Sequence, residues 1–303
     1  MQILLTGGTG LIGRALCRHW HAQGHQLVVW SRQPEQVARL CGTGVRAIAR
    51  LEELGDEHLD AVVNLAGAPI ADRPWTNKRK AVLLASRVAL TEQLLAWLGT
   101  RADRPRVLLS GSAVGWYGDG GEQTLNESMA PVGADFASQL CAAWEAAALA
   151  GEALGMRVVL LRTGLVLAAE GGFLGRLRLP FKLGLGGPIG NGRQWMPWIH
   201  LQDQIALIDF LLQHDTARGP YNACAPAPAR NLDFSRALGR AWHRPALLPM
   251  PAWVLRLGLG ELSGLLLGGQ RALPERLTAA GFTFRFTDLD EALNDLLGHK
   301  DAA

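Results

Sequence analysis

The sequence predicts an α/β fold: a doubly wound parallel sheet with a smaller C-terminal substrate or cap domain. Three observations lead there. Met1-Gln-Ile-Leu-Leu-Thr6 is an apolar run of strand length that breaks into Gly7-Gly-Thr-Gly10-Leu-Ile-Gly13, after which an amphipathic helix begins. Strand-length apolar runs then alternate with helical patterns as far as residue 165, the order of successive βαβ units. From Pro226 onward the composition shifts to helical stretches separated by proline-bearing turns. Residues 1–165, rejoined by about 201–225, are therefore expected to form the sheet domain, and residues 166–200 and 226–303 the smaller one.

Composition narrows the function classes. A chain of 303 residues, 49% hydrophobic and 19% charged, can bury a sizeable core. The net charge of +3, with arginines spread evenly, argues against a nucleic-acid partner. Cys17, Cys41, Cys141 and Cys224 lie far apart without paired spacing, so neither a metal site nor a disulfide framework is expected, and a reducing cytoplasm fits. No signal peptide is expected, because the second residue already belongs to the first strand. The one stretch resembling a membrane span, 246–269, is interrupted by Pro249, Pro251, Arg256 and Glu261. It reads as an amphipathic helix buried against the body or a subunit, so no membrane partner is expected, and the chain is taken as a monomer or homodimer acting on a small molecule.

The glycine run carries the first chemistry. Strand, glycine loop and helix in that order form a Rossmann-type dinucleotide motif: Gly7 turns the chain, Gly10 lets backbone N–H groups reach a pyrophosphate, and Gly13 lets helix and strand pack closely. Leu11 and Ile12 then open the helix whose N-terminus faces the phosphates. Gln26–Trp30 is the second strand and ends at Ser31-Arg32, where an arginine suits the 2′-phosphate of NADP and an acid would suit NAD. The plainer alternative is an exposed loop arginine. Residues 45–48 form a third strand and 60–65 a fourth, ending in Asn64-Leu65-Ala66-Gly67, which either lies beside the adenosine half of the cofactor or is only a tight turn. On the helix over 78–99, Arg87 and Thr91 share a face that could lie along the dinucleotide.

Arg106–Ser110 is the fifth strand, continuing into Gly111-Ser-Ala-Val-Gly-Trp-Tyr-Gly118. Together with Leu161-Arg-Thr-Gly164 and Trp198-Ile-His-Leu-Gln-Asp203, these motifs resemble the extended short-chain dehydrogenase/reductases, among them nucleotide-sugar epimerases and dehydratases. More narrowly, Phe181–Gly190, Trp195–His200 and Gly269-Gln-Arg with Pro274 and Gly281-Phe resemble an atypical branch known as epimerase family proteins. The resemblance covers essentially the whole chain. It implies a role for Ser112 in polarising a substrate carbonyl; Ser110 and Leu165, the latter just past the sixth strand (157–162) whose carboxyl end should face the nicotinamide, complete the NADP set.

The resemblance fails where the family's Tyr and Lys should stand four residues apart on the next helix. That pair works because the ammonium lowers the phenol pKa while hydride moves to or from nicotinamide. One register puts Asp135 and Gln139 there, the other Phe136 and Leu140. By chemistry the replacements are Tyr117, His200, Lys182, Asp119 and Glu122, with Tyr117 and His200 the chosen partners for Ser112. Two functions follow: an NADP-dependent oxidoreductase or epimerase-like enzyme, or a non-catalytic NADP(H)-binding sensor or regulator. Downstream, glycines at 184, 186, 187, 190 and 192 predict a flexible flap over 171–192. Helices are expected at 201–214, 231–242, 252–268 and 289–297, with strands at 220–223 and 282–286.

Overall fold

The computed structural model describes residues 1–298. The first half runs β1 (Gln2–Thr6), α1 (Leu11–Ala22), β2 (Gln26–Trp30), α2 (Val37–Cys41), β3 (Arg46–Ile48) and β4 (Ala61–Asn64). Next, α3 (Asn77–Leu84) passes through a π-helical turn (Ala85–Ala89) into α4 (Leu90–Thr100), followed by β5 (Val107–Ala113), β6 (Thr124–Leu125), α5 (Phe136–Leu149), β7 (Arg157–Thr163) and β8 (Leu165–Leu167). The remainder is α6 (Gly172–Lys182), β9 (Trp195–Met196), β10 (Trp198–His200), α7 (Leu201–Gln213), β11 (Gly219–Ala223), β12 (Ala229–Arg230), α8 (Asn231–Ala241), α9 (Ala252–Leu259), α10 (Gly264–Leu267), β13 (Arg271–Ala272), α11 (Glu275–Ala279) and α12 (Leu289–Leu297).

Seven strands form one sheet in the order β11-β7-β5-β4-β1-β2-β3, with every neighbouring pair parallel. Successive side chains of a strand face opposite ways, so alternate residues feed two cores. Ile3, Leu5, Val29, Val63 and Leu109 pack with Leu16 and Trp20 of α1 and with Leu207, Ile208 and Leu211 of α7. Leu4, Val28, Val62 and Leu108 pack on the other side with Leu94, Leu95 and Leu98 of α4. Burial on both faces explains why these strands read as unbroken apolar runs. The strand order reverses between β1 and β4, and a crevice opens there beyond the carboxyl ends of the strands.

Four expectations need correction. The flap contains a helix, α6, because the five named glycines all follow Lys182, whereas Leu174 and Phe181 sit two turns apart on one buried face. Residues 282–286 form no strand: their alternating aromatics pack inward, but the backbone N–H groups of Arg285 and Phe286 donate to the Asp203 carboxylate (2.8 and 2.9 Å) instead of a neighbouring strand. The 252–268 stretch divides into α9, a 3₁₀ turn and α10, and α9 has no buried residue. Among the described residues the helix long and apolar enough to cross a membrane by length and composition is Asn77–Thr100, not the 246–269 stretch.

Leu5 is fully buried in the central strand. Leu5→Ala should therefore lower the unfolding free energy by about 2–5 kcal/mol, read from the shift of the urea midpoint.

Candidate functional site

The crevice holds a cleft of about 300 Å³ lined by Gly7, Gly10, Leu11, Ile12, Gly13, Leu65, Gly164, Leu165, Val166, Gly172 and Phe173. Its floor is a backbone surface that side chains cannot share. A Cβ on Gly13 would lie 2.3 Å from the Gly7 carbonyl oxygen, and one on Gly7 would lie 2.6 Å from that of Leu65. Gly7 also has φ +70°, a conformation that other residues rarely adopt. Gly10 caps α1 with no side-chain bond to its first turn, and no acidic residue stands there. The orphan N–H groups of that turn thus make an anion site, and the cradle fits a dinucleotide pyrophosphate.

A buried polar chain fixes the walls. The Thr6 hydroxyl donates to Asn64 Oδ1 (2.7 Å) and accepts from the Ala66 N–H (3.1 Å). Asn64 Nδ2 donates to Thr91 (2.8 Å) and, at 3.3 Å, to Ser110. Thr6, Asn64, Thr91 and Ser110 are all fully buried, so Ser110 lies beneath the cleft as one of its supports. Gly67 lies under the Arg87 guanidinium: a Cβ there would meet Arg87 Cζ at 2.9 Å. Arg87 comes from the π turn, bonds the carbonyls of Ala68 and Leu83, and stands 5.3 Å from the Trp144 ring. Among the described residues it has no carboxylate partner, and burial lowers its pKa. At the end of β2, Ser31 accepts from the Gln33 N–H (3.1 Å), while Arg32 is exposed and stands in no ion pair among the described residues.

The three expected catalytic residues do not line the cleft. The Ser112 hydroxyl donates to Glu145 Oε1 (2.6 Å), and Arg162 binds both oxygens of the same carboxylate (2.9 Å each). Tyr117 is fully buried, with its hydroxyl 2.8 Å from Asn222 Oδ1 and 3.0 Å from the Asn126 carbonyl, and it accepts from Arg162 Nη1 (3.2 Å). Burial raises its pKa above the ordinary phenol value, with Arg162 pulling the other way. The Arg162 guanidinium lies 3.4 Å over the Trp116 ring. His200 caps α7, its Nδ1 accepting from the Gln202 N–H (3.1 Å), and its ring lies 3.9 Å from that of Phe286. Its Nε2 is 3.4 Å from Asp295, and burial lowers its pKa against that carboxylate's smaller upward pull.

No proton relay stands at the dyad positions in either register. Asp135 caps α5 by accepting from the Ser138 N–H (2.8 Å), and exposed Gln139 bonds the Ala134 carbonyl. Phe136 packs edge-on against Trp75 at 5.0 Å, and Leu140 is buried. Glu145, Arg162, Asn222 and Asp295 are the partners that sequence reasoning passed over. One signal pointed to Glu145: an acid on an alanine-rich helix, sharing the buried face of Ser138 and Cys141.

Residues 3–224 match the model of the NAD dependent epimerase/dehydratase family, and residues 250–296 match a domain of unknown function, DUF1731. The chain is 37% identical to the epimerase family protein YfhF of Bacillus subtilis, over 99% of each chain. It is 38% identical to the epimerase family protein ML0860 of Mycobacterium leprae, over 96% of this chain and 94% of that one. Human epimerase family protein SDR39U1, solved with NADPH, superposes with a TM-score of 0.89 at 35% identity, covering 99% of this chain and 100% of that one. UDP-glucuronic acid 4-epimerase of Bacillus cereus, at 16% identity and TM-score 0.78 over 99% of this chain and 98% of that one, shares the fold. The chain belongs to the NAD dependent epimerase/dehydratase family.

Proposed function

We propose that the protein is an NADP(H)-dependent oxidoreductase acting on a small hydroxyl or carbonyl compound, with a serine–carboxylate pair in place of the tyrosine–lysine relay. The observation that carries the reading is the 2.6 Å bond from Ser112 to a carboxylate that Arg162 holds bidentately. Gly7, Gly10, Gly13 and the first turn of α1 would hold the pyrophosphate, with Leu11, Ile12 and Leu65 along it, Ala66, Gly67 and Arg87 beside it, and Ser31 and Arg32 on the 2′-phosphate. Leu165 would border the nicotinamide, which supplies the hydride acceptor or donor. A substrate hydroxyl donating to Ser112 Oγ would pass its proton on through the serine to Glu145; in the reverse direction the protonated Glu145 would donate to Oγ while the serine hydrogen goes to the substrate carbonyl oxygen. Residues 166–200 and 226–303 would form the substrate side, residues 299–303 lying outside the described residues. NADPH in the SDR39U1 structure supports the cofactor assignment.

The alternative, a non-catalytic NADP(H) sensor, draws on Tyr117: its hydroxyl is fully engaged with buried protein groups. To separate the two readings, NADPH deuterated at C4 is incubated with a metabolite extract. Deuterium should pass into a metabolite with the wild-type protein and about 10²–10⁴-fold more slowly with Ser112→Ala. If wild type transfers none while NADPH binds, the sensor reading prevails.

Calorimetric titration tests the cofactor. Arg32→Ala should weaken NADPH about tenfold or more, the worth of one charge-assisted hydrogen bond, and leave NADH unchanged. Glu145→Gln would leave Arg162 buried without its counter-charge, costing about 3–5 kcal/mol of stability in urea unfolding.

His200 is assigned a structural role. Its folded pKa is lowered, so below about pH 6.5 the unfolded chain binds a proton that the folded one resists, and stability falls with pH. His200→Asn keeps a capping side chain, and the stability advantage of wild type over it should shrink as pH drops from about 7.5 to 5.

A further inference from the structure

Two segments distant in sequence meet on one surface beyond the cofactor crevice. The Leu248 N–H donates to the Gly186 carbonyl (3.2 Å), Met250 to Pro188 (2.8 Å), and Gly190 back to Met250 (2.8 Å), so the loop after α6 and the strand-like approach to α9 lie side by side. The surface they make is apolar. Leu183 is 64% exposed, Leu185 59%, Leu247 79%, Leu248 52%, Trp253 67% and Leu257 83%. This much aliphatic and indole surface in one place marks an interaction site.

Charge identifies the partner. Residues 171–202 contain Arg176, Arg178, Lys182 and Arg193 and no Asp or Glu; residues 234–260 contain Arg236, Arg240, Arg244 and Arg256 and again no acid. Arg176, Arg193 and Arg240 are paired with Asp72, Glu122 and Asp290. Glu170 lines the pocket that holds Arg176 and Arg178; Lys182, Arg236 and Arg256 stand in no ion pair with a carboxylate among the described residues, and Arg244 bonds only carbonyls. The acids that flank the two stretches are Glu170, Asp203, Asp233 and Glu261; Asp203 accepts from the Arg285 and Phe286 N–H groups, and Glu261 pairs with Lys80.

We propose that this face docks on an anionic lipid surface. Trp253, Leu247 and Leu257 would enter the boundary between headgroups and acyl chains, where indole rings are favoured, while Lys182, Arg244 and Arg256 meet lipid phosphates. A second copy of the chain fits this face poorly. Symmetric pairing sets the same cations, Lys182, Arg244 and Arg256, against each other, with no carboxylate within residues 171–202 or 234–260 to answer them. Lying on a membrane is a different mode from spanning it, so the interrupted 246–269 stretch does not oppose it.

The test is flotation of the full chain with vesicles of phosphatidylcholine alone or mixed with phosphatidylglycerol. Wild type should float with the mixed vesicles, not with phosphatidylcholine alone, and be released by salt. Trp253→Gln with Leu257→Gln, and separately Lys182→Glu with Arg256→Glu, should each cut the bound fraction about tenfold. All four side chains are exposed, and an unchanged thermal melt verifies that the variants fold. Failure of wild type to float with the mixed vesicles overturns the proposal, as does undiminished flotation of both folded variants. A wild-type dimer in light scattering that the Trp253→Gln, Leu257→Gln variant converts to monomer overturns it in favour of self-association.

Discussion

The close approach of α1 to the loop that precedes it governs the first half of the molecule. Because Gly13 and Gly7 carry no Cβ, the helix starts with its backbone against the turn, and its N–H groups open onto the crevice. Moving α1 outward to make room for a methyl group would also pull Leu16 and Trp20 from the sheet. Trp20 is fully buried and its indole N–H reaches Asp209 of α7 (3.0 Å), so the displacement would pass to the second helix on that face. The anion site and the core packing are therefore one constraint, expressed at two ends of a helix.

On the other side of the crevice, charge takes over from shape. Glu145 and Arg162 are both nearly excluded from water, an arrangement that survives only when every remaining hydrogen-bonding position is answered. Ser112 and Tyr117 answer them, and the Trp116 ring covers the guanidinium. The tyrosine that sequence reasoning selected for acid–base work is thus also a structural partner of a buried cation. Its phenol sits among Asn126, Asn222 and Arg162, joining β7 to β11 and to the loop leading out of β6.

Legibility followed distance along the chain. The strand–glycine–helix start and the parallel sheet were readable because each depends on neighbours within one βαβ unit, where side-chain period and turn chemistry agree. Glu145 and Arg162 lie 17 residues apart on different elements, and His200 meets Asp295 from the far end of the chain; no local pattern encodes such pairings. Two of the misread segments show the same limit. Phe282, Phe284 and Phe286 alternate as a strand would, yet a carboxylate on α7 satisfies the backbone there. In α6, two buried residues outweigh the glycines that follow.

Helix α6 ties the two walls of the cleft together. Its first turn rests on the glycine loop, where Gly172 faces Leu11, and Arg176 reaches across to Asp72 and the Ala71 carbonyl, on the loop that follows Leu65-Ala66-Gly67. The tie is an ion pair with both side chains well exposed, so water and dissolved ions weaken it readily. The frame of the cleft is hydrophobic and stiff; its clasp is ionic and soft. Ionic strength therefore acts on the clasp and leaves the apolar frame of the cleft as it is.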